Sequence, residues 1–159
     1  MKKRYFILLA FLNFIIQSTL LQNFRIMGVI PNTTIILIFI IAVLSEPKAT
    51  LTFAITAGLL QDSFLTKVLI LNLAIYVIIS VIVSNLEKPL FYDNPLTPMF
   101  IISLSTIFYN LVYLFFMYFS APMIAMSFIS TVVITETIYN TLLGLIIFQF
   151  VKRYTVRRN

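Results

Sequence analysis

Long apolar runs decide what this chain can fold into. Six of them, at 5–21, 29–44, 49–64, 68–83, 99–119 and 123–151, are separated only by short polar or proline-bearing turns. Several approach or exceed the ~17–25 residues that a helix needs to cross a bilayer. Only 10% of the residues are charged, against about 25% in a soluble domain, and the mean hydropathy is +1.06. Inside lipid, every backbone N–H and C=O must find a partner within the protein. The expected fold is therefore all-α: a bundle of six transmembrane helices forming one domain over residues 1–159.

The breakers fall between the runs. Lys2, Lys3 and Arg4 precede the first run, and no small-residue cleavage site follows it, so it reads as a retained span. Pro31 opens the second run, whose Ile and Thr residues would argue for a strand in water but not in lipid. With Val29 and Ile30 included, that run is just long enough for a helix. Glu46, Pro47 and Lys48 make the turn into the third run, whose rise of roughly 24 Å is slightly short of a ~30 Å core. A full crossing is expected there, since the orientation below requires it. Residues 85–98 carry three prolines and the apolar Leu90, Phe91 and Tyr92, which point to the membrane interface or to a docked partner. No proline is expected inside a span.

Charge sets the expected orientation. With six spans, Lys2, Lys3, Arg4, Lys48, Lys88, Lys152, Arg153, Arg157 and Arg158 share one side, while Arg25 and Lys67 lie on the other. The positive-inside rule puts the first group, and both termini, in the cytoplasm. The net charge of +6 is concentrated at the two ends beside apolar helices. Anionic lipid headgroups, not nucleic acid, are the expected partners of those basic termini. The chain is expected to sit in a membrane that it crosses several times.

Most catalytic chemistry is excluded by what is missing. The chain has no cysteine and no histidine, which removes thiolate nucleophiles, histidine bases and the usual zinc ligands. No phosphate loop, nucleophile elbow or HExxH motif is present. Neither an enzyme nor a cofactor or metal site is expected.

The polar residues inside the runs are the candidates for function. Thr50, Ala54, Gly58 and Asp62 fall four apart and share one helical stripe. Ala54 and Gly58 make a small-xxx-small pair that admits another helix closely, and the remaining helices are expected to surround this third one. Gln61 and Asp62 end the run. Asp62 either pairs with Lys67 or Arg25 or faces a partner or ligand. Glu136 falls near the middle of the sixth run, with Asn140 and Gly144 at four-residue steps. An acid at such depth costs several kcal/mol, roughly 2.5–3.5 for an aspartate on insertion scales. Its expected role is divided between a functional acid and a bundle-fixing bond to Asn13, Gln17, Asn72, Tyr109 or Asn110. Asn13 and Gln17 lie on one face of the first run, and Asn72 and Tyr76 on one face of the fourth.

The stretch Gly58-Leu59-Leu60-Gln61-Asp62-Ser63-Phe64 resembles the rod shape-determining protein MreD family, whose marker is a Gly-Leu-x-x-Asp motif ending a small-residue third helix. Gly58, Leu59 and Asp62 match it. The basic start, the proline-bounded second helix and the short basic tail also match. The resemblance implies a non-enzymatic inner-membrane subunit of the cell-elongation machinery. Its implied partners are an MreC-like single-span protein and, indirectly, an MreB-like filament and peptidoglycan synthases. It also implies a fold similar to the substrate-binding subunits of energy-coupling-factor transporters. A vitamin-binding subunit of that type is the competing reading, although Ala10 followed by Phe14 lacks the small pair those proteins carry on their first helix.

Overall fold

The computed structural model describes residues 3–64, 70–86, 94, 96–120 and 126–156. Lys67, Lys88 and the Leu90-Phe91-Tyr92 segment lie outside the described residues. Among the described residues the chain is all-helical: α1 (Lys3–Ser18), α2 (Thr33–Leu44), α3 (Pro47–Phe64), α4 (Leu71–Ser84), α5 (Leu96–Ser120) and α6 (Met126–Val156), with one short 3-10 turn after α1. Among the described residues three segments are long and apolar enough to cross a membrane, at Lys3–Asn23, Leu96–Phe116 and Ser130–Arg153.

Two of the expected spans shrink. The second does not begin at Val29. Ile26 and Val29 instead exchange backbone hydrogen bonds of 2.9 Å across a two-residue hairpin turn. Met27 and Gly28 occupy its corners with φ of 51° and 80°, the left-handed pair that such a turn requires. Pro31 disfavours helical backbone at Ile30, and the helix starts only at Thr33. Its 12 residues rise about 18 Å, well short of a ~30 Å core. The fourth helix starts at Leu71 because Ile70 takes φ 74°, which ends helical geometry on that side. Conversely, α5 begins at Leu96, so Pro98 lies inside the helix. It sits in the first turn, where its missing N–H has no intrahelical acceptor to lose.

The centre of the bundle is α2, not the small-residue helix α3. Nine residues of α2 are buried, including Ile35, Ile36 and Ile38 at 0% exposure. A helix apolar on all sides can be wrapped by protein or by lipid; here it is wrapped by protein, since α2 touches every other helix. Helix α3 instead buries one stripe, made of Thr50, Phe53, Ala54, Ala57, Gly58, Gln61 and Asp62, and turns Ile55, Leu59 and Phe64 outward. That stripe packs chiefly against α4 and α1, while α5 and α6 form a second pair. Phe39 of α2 meets Phe148 of α6 edge-on at 5.5 Å, tying the pair to the core.

Candidate functional site

Because α2 and α4 are short, their N-termini end inside the protein. The first N–H groups of a helix have no intrahelical acceptor, and leaving them unpaired in an apolar interior costs a few kcal/mol. Side chains from other helices solve this. Asp62, at the end of α3, accepts from the backbone N–H of Asn72 (3.0 Å), from that of Leu73 (2.9 Å) and from the Asn72 side-chain amide (2.9 Å). Its carboxyl thus caps α4 from a neighbouring helix, at the end where the helix dipole favours an acid. Asn140 of α6 does the same for the start of α2: its Oδ1 accepts from Asn32 N at 2.8 Å.

Gly58 makes the first of these caps reachable. A Cβ at position 58 would lie 2.5 Å from Leu73 Cα and 2.9 Å from Leu73 N. The backbones of α3 and α4 are in contact there, one helical turn before Asp62. Only a residue without a side chain lets the carboxyl approach the N–H groups of Asn72 and Leu73.

Between the two caps lies a layer of polar side chains from all six helices. Asn13 of α1 donates to Thr34 Oγ1 (2.9 Å) and accepts from Thr33 (2.7 Å). Thr34 donates to Gln17 Oε1 at 3.1 Å, and Gln61 donates to Thr34 at 2.8 Å. The Tyr76 hydroxyl donates to Gln61 Oε1 (2.7 Å) and accepts from the Asn32 amide (3.1 Å). Asn140 donates to Thr106 Oγ1 at 3.1 Å, and Asn110 to the Thr106 carbonyl at 3.1 Å. Both amides also lie beside the Glu136 carboxyl. Tyr109 donates to Asn72 Oδ1 at 2.8 Å, and its ring stacks on Tyr76 at 5.5 Å and on Tyr113 at 5.7 Å.

The family model for the rod shape-determining protein MreD matches residues 2–154, nearly the whole chain. The chain belongs to the MreD family. It is accordingly a rod shape-determining membrane protein. No curated protein and no solved structure shows significant similarity to it.

In this MreD chain the Gly58-Leu59-x-x-Asp62 motif has a concrete geometric content: the glycine brings α4 close and the acid caps it, while Leu59 points outward at 48% exposure. Ala54, Gly58, Gln61 and Asp62 are all buried. So are Asn13, Gln17, Asn72, Asn110, Glu136 and Asn140. Glu136 lies beside Asn110 and Asn140, whereas Asn13, Gln17, Asn72 and Tyr109 bond elsewhere. Arg25, one of the two bases considered for Asp62, bonds to the Gln22 side chain.

Four contributors escaped the sequence reading: Asn32, Thr33, Thr34 and Thr106. Asn32, Thr33 and Thr34 did carry a signal, as consecutive polar residues at the mouth of an isoleucine-rich run. Thr106 carried none, since a threonine in a span ordinarily bonds its own helix, as Thr106 also does to Ile102 O at 2.9 Å. The layer consists of hydroxyls and amides that satisfy one another, with one carboxyl at each of two edges. Among the described residues no group of three metal-binding side chains occurs.

Proposed function

We propose that this MreD protein is a non-enzymatic scaffold of the bacterial cell-elongation complex. It holds the transmembrane helix of an MreC-like single-span partner and, through it, helps an MreB-like filament position peptidoglycan synthases. The observation that supports this best is the use to which the buried polar groups are put. Asp62 caps α4, Asn140 caps α2, and Tyr76, Gln61 and Thr34 bond to one another. Groups occupied in this way fix helix positions and offer no poised nucleophile or base. A rigid surface is what a docking helix needs in lipid, where close packing and hydrogen bonds replace the hydrophobic drive.

In this reading the chain is one domain that crosses the membrane six times, with α2 crossing by means of its flanking turns. Both termini are cytoplasmic, and Lys3, Arg4, Lys152 and Arg153 meet anionic headgroups there. Ala54, Gly58, Gln61 and Asp62 act by fixing α3 against its neighbours, which presents the partner's surface. The transporter reading gains nothing from the family match.

The test is removal and capture. Cells depleted of the protein should round up, and the full-length chain should bring down an MreC-like protein from native membranes. The absence of cysteine also permits single-cysteine labelling: Lys3→Cys and Arg153→Cys should resist an impermeant external maleimide. Rod-shaped growth without the protein would defeat the scaffold role, and external labelling at position 153 would defeat the topology.

A further inference from the structure

The connection between α1 and α2 is too apolar to be an ordinary external loop. Phe24, Ile26 and Met27 are 63%, 51% and 77% exposed. The loop is nevertheless fastened to α6: the Tyr139 hydroxyl donates to Phe24 O at 3.1 Å. Between loop and helix runs a groove of about 370 Å³, walled by Ile26 and Met27 on one side and by Ile138, Leu142 and Ile146 on the other. The three α6 residues step one turn apart, so the groove follows roughly 12 Å of helix.

A cation adjoins one wall of the groove along the chain. Arg25 is exposed and lies between Phe24, which is tied to α6, and Ile26, which lines the groove. Its side chain bonds the neutral amide of Gln22, and among the described residues it forms no ion pair. An open apolar groove beside a chain-adjacent guanidinium that meets no acid among the described residues suits an anionic lipid, with the acyl chain along α6 and the phosphate at Arg25. A hydrophobic partner helix would use the groove but not the charge.

We propose that this groove is a binding site for one anionic phospholipid, selected by Arg25. It lies beyond the far end of α1 from the basic residues Lys3 and Arg4. The inference does not depend on the scaffold reading.

The chain has no tryptophan, so Leu142→Trp places a single indole in the groove. The full-length variant is reconstituted in phosphatidylcholine vesicles containing a minor fraction of lipid with brominated acyl chains. The brominated lipid is phosphatidylglycerol in one arm and phosphatidylcholine in the other. Phosphatidylglycerol should quench the indole several-fold more effectively, and Arg25→Gln should make the two lipids equal. Ile146→Trp, one turn along, gives a second reporter should Leu142→Trp fail to fold. Equal quenching by both lipids in the parent would overturn the proposal, as would a preference that survives Arg25→Gln. Weak quenching by either lipid would mean that protein covers the groove, and would overturn it too.

Discussion

Removing the Asp62 carboxyl should loosen the start of α4 more than any other part of the bundle. In Asp62→Ala, two backbone N–H groups and one side-chain amide lose the acceptor they now reach at 2.9–3.0 Å. Loss of a helix cap costs about 0.5–2 kcal/mol, and each further buried donor left unpaired costs about 1–3 kcal/mol. The three donors share one carboxyl and relax together, so we expect about 3–5 kcal/mol rather than a full sum. Asp62→Asn keeps one acceptor oxygen and should lose about half of that. Two measurements check this. Reversible unfolding in mixed micelles should rank the parent above Asp62→Asn above Asp62→Ala. Amide exchange at Asn72 and Leu73 should rise more than a hundredfold in Asp62→Ala, since about 1.4 kcal/mol is a factor of ten. Unchanged exchange at those two amides, with an unchanged unfolding midpoint, would refute the capping argument.

Two glycines should respond very differently to the same substitution. The Cβ of Gly58→Ala meets backbone atoms of Leu73 at 2.5 and 2.9 Å, so α4 must move and the cap with it. A loss of about 1–3 kcal/mol is expected in unfolding measurements. The Cβ of Gly144→Ala meets the end of the Ile102 side chain at 2.7 Å, which can rotate away, so its loss should stay below about 1 kcal/mol. Tyr76→Phe keeps the ring stacked on Tyr109 but strips a hydroxyl from Gln61 and Asn32. It should cost about 1–2 kcal/mol, whereas Tyr139→Phe, which frees only the exposed Phe24 carbonyl, should cost under about 0.5 kcal/mol.

What the sequence determined was class and local geometry. A chain with 61% hydrophobic residues, broken by Pro31, Pro47 and the residues around Pro98, has few folds open to it besides membrane helices, because lipid supplies no partner for backbone groups. Four-residue spacing alone placed Thr50, Ala54, Gly58 and Asp62 on one stripe, and all four are buried. Periodicity is a local property, fixed by 3.6 residues per turn. Tertiary structure decided which helix takes the centre and whom the polar residues meet. Nothing in the composition of α2 distinguishes an apolar helix wrapped by protein from one facing lipid, since both environments favour the same side chains. Nor could the sequence bring the backbone N–H groups of Asn72 and Leu73 within reach of Asp62. Backbone donors are the same at every non-proline residue, and only the position at which α4 begins leaves those two exposed to an acid on a neighbouring helix.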